Sequence, residues 1–129
     1  MSHRYFTLEE ARATLPRVRE LMNCCNEVLS RMQALKPLVE TLAETGVLNS
    51  GNALGTVYVE HLVVLQSSVE RLQAIGCEVK SIEEGLIDFP HWRKGQEVYL
   101  CWKLGEQDIE YWHETDAGFA GRRKLADED

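Results

Sequence analysis

The sequence predicts an α+β fold, a long antiparallel helical hairpin followed by a small, mostly antiparallel β-sheet. Three observations carry that reading. Apolar residues recur every three or four positions over residues 8–43 and again over 58–75. Between these segments, Gly46, Asn49-Ser50-Gly51-Asn52 and Gly55 mark a turn. After Gly76 the apolar period changes to two. The 129 residues fit a single domain, 1–129, with the hairpin over 7–76 and the sheet and a C-terminal turn over 77–125.

The first helix opens with Thr7-Leu8-Glu9-Glu10, a capping box in which Thr7 and Glu10 satisfy each other's backbone N–H. Pro16 either kinks this helix or ends it near Ala13, and the expectation is a restart with Thr14 as cap. Leu15, Val18, Met22, Cys25, Leu29, Met32, Val39 and Ala43 then form a stripe that only Lys36 interrupts. Leu21, Val28, Leu35 and Leu42 widen it into a coiled-coil-like seam, with a bend expected at Pro37. In the second helix Tyr58, Leu62, Leu65, Val69 and Leu72 form the stripe, broadened by Val59, Val63 and Ile75, and Gly76 sits at the C-cap position. Two helices cannot bury two such broad faces against each other alone. A homodimer follows as an expectation, with cover by the C-terminal half as the alternative.

Three or four strands are expected. Residues 77–80 alternate, and 85–89 form a short apolar run ended by Pro90. Trp92-Arg93-Lys94-Gly95 reads as a turn, and 97–103 and 109–113 are the strongest strands. A four-residue loop Gly105 to Asp108 would set Lys103 opposite Glu110, Trp102 opposite Tyr111, Cys101 opposite Trp112 and Leu100 opposite His113. That register gathers Val98, Leu100, Trp102, Ile109, Tyr111 and His113 on a core face. A slip of one residue would instead put Cys101 and His113 on one side, diagonal to each other and within reach of a shared metal. The first register is the expectation, because it keeps the apolar residues together.

The formal net charge of −7 argues against nucleic acid as a partner, since Lys and Arg dominate phosphate binding. The one basic cluster, Arg122-Arg123-Lys124, is followed at once by Asp127-Glu128-Asp129. No apolar run is long enough to span a membrane and no signal peptide is recognisable, so the chain reads as cytoplasmic. The four cysteines form no CxxC pair and read as reduced, small apolar fillers.

The reactive side chains concentrate between residues 98 and 122. His113, Glu114 and Asp116 leave the last strong strand for a turn, and Glu106 at the hairpin tip and His91 are within plausible reach. Imidazole with carboxylates suits a divalent transition metal such as zinc, iron or manganese. The favoured reading is nonetheless structural, a partly buried His113 hydrogen-bonded to a carboxylate. Arg122, after Gly118-Phe119-Ala120-Gly121, offers a planar fork for an anion, but the favoured reading is a tail anchored by Phe119 in which Arg122 pairs with a nearby acid. A Cys101 nucleophile with His113 as base is disfavoured, because the expected register separates the two across the sheet. Glu60-His61 lacks the second histidine of a zinc-protease helix, since Leu65 stands in its place. The tryptophans 92, 102 and 112 with Tyr99 and Tyr111 read first as core.

The runs Gly85-Leu86-Ile87-Asp88-Phe89-Pro90, Val98-Tyr99-Leu100-Cys101-Trp102, Gly105-Glu106, Tyr111-Trp112-His113-Glu114 and Asp116-Ala117-Gly118-Phe119-Ala120-Gly121-Arg122 resemble the domain of unknown function 2203 family. The start, Thr7-Leu8-Glu9-Glu10-Ala11 with Leu15-Pro16, resembles it too. The resemblance implies the family's fold and a bacterial origin. It supplies no activity and no catalytic residues. The functional expectation is therefore a protein-interaction or structural module that homodimerises through its helices. The alternative is a small metal-binding protein or metal-dependent enzyme with a site around His113-Glu114.

Overall fold

The computed structural model describes residues 4–44 and 53–125. Helix α1 spans Leu8–Glu44, and its capping box forms as the sequence predicts. The Glu10 N–H donates to Thr7 Oγ1 at 3.0 Å and the Thr7 N–H donates to Glu10 Oε1 at 2.8 Å. The predicted restart at Thr14 does not occur, and α1 runs unbroken through Pro16 and Pro37. Both prolines are exposed. An interior proline costs about 3 kcal/mol, but Leu15 and Val18 beside Pro16 are both buried. Each contributes about 1.5–3 kcal/mol, so packing outweighs the lost bond.

Of the predicted interhelical turn, 46–52 lies outside the described residues, whereas Gly55 is inside helix α2, Ala53–Ile75. The helices run antiparallel: the Ser68 hydroxyl approaches Cys24 Sγ at 3.7 Å, and Val28 and Arg31 share a groove with Val64 and His61. Gly76 ends α2 with φ +110°, and a Cβ there would lie 2.9 Å from the Arg4 side chain. That side chain caps the helix, because Arg4 Nη1 donates to the Ile75 carbonyl at 2.8 Å.

The sheet has five strands rather than three or four, all antiparallel and in sequence order: β1 Glu78–Ser81, β2 Leu86–Arg93, β3 Gln96–Lys103, β4 Tyr111–Glu114 and β5 Arg123–Lys124. The extra strand, β5, is two residues long and carries no period-two signal. β2 also continues past Pro90, where the sequence suggested an end. The Pro90 carbonyl accepts from the Phe6 N–H at 2.8 Å, on the side that β1 no longer covers. A missing N–H is harmless at such an edge. Lys94 and Gly95, with φ +51° and +79°, make the two-residue turn into β3.

The inner sheet face (Ile87, Phe89, Val98, Leu100, Trp102, Trp112) packs into one cluster with Ala11, Leu15, Val18, Met22 and Cys25 of α1 and Leu72 of α2. The predicted stripes hold only near the sheet. Beyond Met32 in α1 and before Ser68 in α2, no described residue is buried. No helix among the described residues is long and apolar enough to cross a membrane.

The β3–β4 register differs from the expected one by a single residue. Cys101 pairs with Tyr111, Leu100 with Trp112, Tyr99 with His113 and Val98 with Glu114. The reason lies in residues 104–110, which form no tight hairpin loop. The Lys103 N–H donates to Glu106 Oε1 at 2.7 Å, and Trp102 Nε1 donates to the Glu106 carbonyl at 2.9 Å. Ile109 reaches the core from this loop, its carbonyl held by Arg12 Nη2 at 2.8 Å. β4 therefore starts later, and Trp112 fills the core position expected for Tyr111 and His113. Placing the larger indole in the core and the Tyr111 phenol on the outer face, where it stays half-buried, favours this outcome.

Candidate functional site

The one-residue slip decides which side chains meet. The outer sheet face now carries Asp88 of β2, Cys101 of β3 and His113 of β4. Asp88 pairs directly with Cys101, while His113 pairs with Tyr99, two residues along. Adjacent strands at alternate positions bring the three side chains to one point. Asp88 Oδ, Cys101 Sγ and a His113 ring nitrogen all lie within 4.8 Å of one another. Each residue is 3% exposed or less.

The hydrogen bonds fix the imidazole. His113 Nδ1 lies 2.7 Å from the Glu114 carbonyl, which can only accept, so Nδ1 carries the proton. Nε2 then faces Asp88 Oδ2 at 3.0 Å. Two lone pairs cannot meet there, so one proton or one metal ion must stand between Nε2 and Oδ2. Burial pushes the Asp88 carboxyl above its ordinary range, although His113 beside it and hydrogen bonds from His113 and Cys101 pull the other way. Burial also raises the Cys101 thiol to about 12, reinforced by the Asp88 charge.

Around this triad the structure provides a cavity of about 200 Å³, with Lys80, Leu86, Tyr99 and Phe119 in its wall. The Tyr99 hydroxyl donates to both Glu78 carboxylate oxygens, at 3.0 and 3.2 Å. Its pKa rises to about 12, through burial first and then the Glu78 bond. The chain from Thr115 to Arg122 crosses over the site as a strap. Arg122 latches it, with Nη2 donating to Glu106 Oε1 at 2.6 Å and Oε2 at 2.8 Å. The guanidinium also stacks on Tyr111 at 3.9 Å and on Phe119 at 4.5 Å.

Of the metal ligands expected around His113-Glu114, only His113 belongs to this triad, and Cys101 joins it through the register slip. Glu114 contributes its backbone carbonyl, and Asp116 is exposed on the strap. Glu106 and Arg122 hold each other. His91 is turned to the Phe6 carbonyl at 2.6 Å and His61 to that of Val57 at 2.7 Å. Cys101 and His113 share a face, contrary to the expected register. Asp88 escaped sequence reasoning altogether. Its signal was a carboxylate at the centre of the apolar run Leu86-Ile87-Asp88-Phe89. Trp102 and Trp112 are core, whereas Trp92 is 52% exposed and leans on Tyr5 at 5.2 Å.

Residues 4–125 match the family model described as uncharacterized conserved protein (DUF2203), and the chain belongs to that family. Comparison with curated proteins and with solved structures gives no match.

Proposed function

We propose that this family member binds a zinc-class divalent metal ion through His113 Nε2, Asp88 Oδ2 and Cys101 Sγ. One observation carries the reading: three metal-binding side chains converge in a buried site, and the His113–Asp88 contact demands a bridging cation or proton. The Nδ1–H bond to a backbone carbonyl is the support that metal-bound histidines ordinarily have. A thiolate beside imidazole and carboxylate favours zinc over magnesium or calcium. The test is elemental analysis of protein purified without chelator, beside His113→Ala and Cys101→Ser. Near-stoichiometric metal that vanishes in both variants supports the reading. Metal content unchanged by either variant rejects it.

A second reading concerns assembly, and a separate observation favours it. One side of α2 exposes Val59, Leu62 and Val63, with Val59 at 56% and Val63 at 60%. A second copy laid on this face would bury them, as a four-helix bundle does. Sedimentation equilibrium should then give a dimer, and Val59→Glu with Val63→Glu should give a folded monomer. A monomeric wild type removes this reading and leaves the metal site untouched.

A further inference from the structure

The three donors leave one position of a tetrahedral ion unfilled by protein, as in zinc sites that bind a substrate or water. We propose, resting on the metal reading above, that this position opens into the 200 Å³ cavity and takes a small carboxylate.

The chemistry of the wall selects the ligand. The triad lines the cavity itself, so a ligand there reaches the metal directly. With Asp88 and a Cys101 thiolate, a divalent ion is already neutralised. An anionic fourth ligand gains from a cation in the wall, and the wall holds Lys80, whose charge Glu78 partners. Lys80 sits at a β-bulge between Val79 and Ser81, so no β2 residue pairs with it. Bulges of this kind re-aim side chains. Its ammonium lies 4.8 Å from the Tyr99 ring centre and 2.7 Å from Glu78 Oε1. Glu78 also accepts from Tyr99, which holds it at this flank while Lys80 stays partly exposed. Apart from Thr115 and Gly118, the rest of the wall is apolar, formed by Leu86, Phe119 and the face of Tyr99. Phosphate has no apolar part to use it. A carboxylate with a short hydrocarbon tail uses both walls. At about 30 Å³ per water-sized group the volume holds roughly six or seven heavy atoms, the size of butyrate or valerate.

The experiment uses the full chain loaded with cobalt(II), whose visible spectrum reports its ligands, titrated with acetate, butyrate and octanoate. The expected result is a saturable spectral shift, with butyrate about tenfold tighter than acetate because two more methylenes are buried. Octanoate should bind no more tightly than butyrate. Lys80→Met should weaken both short acids several-fold with cobalt uptake intact, and Phe119→Ala should remove the advantage of butyrate. Bands that no carboxylate moves would overturn the inference while leaving the metal reading standing. Octanoate binding more tightly than butyrate would place the open position in bulk solvent and also overturn it. Failure to take up cobalt would overturn the metal reading and this inference together.

Discussion

Asp88→Asn and Asp88→Ala together separate what Asp88 does for the fold from what it does for a metal. In metal-free protein, an asparagine at this position can donate its amide N–H to His113 Nε2 and accept from the Cys101 thiol, replacing both contacts of the carboxylate. It also relieves the desolvation that raises the Asp88 pKa. The Asn variant should therefore lie within about 1 kcal/mol of wild type. Alanine leaves Nε2 buried with no partner, which costs about 1–3 kcal/mol for one orphaned group. Over a chain of this size that corresponds to a fall in melting temperature of about 3–15 °C. The metal effects should run differently. Excess zinc at 100 times its dissociation constant stabilises a native protein by about 2.7 kcal/mol, and each tenfold loss of affinity removes about 1.4 kcal/mol. The Asn variant loses an anionic ligand, so it should forfeit most of the stabilisation by zinc while remaining as stable as wild type without it. Urea denaturation with and without zinc, at constant m-value, measures both. An Asn variant stabilised by zinc as strongly as wild type would refute Asp88 as a ligand. An Ala variant as stable as wild type without metal would refute the His113–Asp88 hydrogen bond.

Three further outcomes follow from the same geometry. Native metal-free protein treated with an alkylating reagent at mild alkaline pH should label Cys24 first. Cys25, Cys77 and Cys101 are buried, with Cys77 and Cys101 each raised to about 12 by burial, and mass spectrometry of the digest reads the order. Arg122→Lys should destabilise the protein by about 1–3 kcal/mol in urea, because an ammonium cannot reproduce the planar stacking of the guanidinium on Tyr111 and Phe119 while Nη2 holds both Glu106 oxygens. The hydrogen bond from the Thr7 backbone N–H, the largest cause, lowers the folded pKa of Glu10, so its contribution is present above the unfolded value of about 4.5 and lost as pH falls through the folded value. Wild type should therefore exceed Glu10→Gln in stability at neutral pH, with the gap closing in acid.

The helices were legible because their signals are local. A capping box and a 3–4 apolar step need only neighbours in sequence. Pro16 was misjudged because the outcome turned on Leu15 and Val18 meeting the sheet, a contact distant in sequence. The strands were legible, but their register was not. The expected register assumed that Ile109 belongs to the strand, whereas it enters the core from a loop held by Glu106 and Arg12. That single misplacement moved Trp112 to the wrong face and separated Cys101 from His113. The site suffered most, since a one-residue shift exchanges every side chain between faces. Asp88 carried a readable warning, because a lone carboxylate inside a short apolar strand breaks the local rule and such breaks gather at functional sites.

The outer face also bears on why these polar groups are there at all. A buried ionic or proton-sharing pair adds little stability compared with apolar residues of the same volume, and replacing one with such residues is often neutral or stabilising. The inner face shows that these strands accommodate an apolar core readily. Stability alone therefore gives no reason to set Asp88, Cys101 and His113 at neighbouring positions on three strands, or to cover them with a strap latched by Arg122 and Glu106. A role in binding a cation accounts for both. The donors stay shielded from bulk water, which strengthens their hold on a charge, and the cavity between strap and sheet leaves room for one small ligand beside it. The exposed apolar residues at the far end of the hairpin are a separate feature, on helices that pack against the opposite side of the sheet. Assembly through that end would leave the mouth of the cavity free, so the two readings are compatible in a single molecule and each can fail without the other.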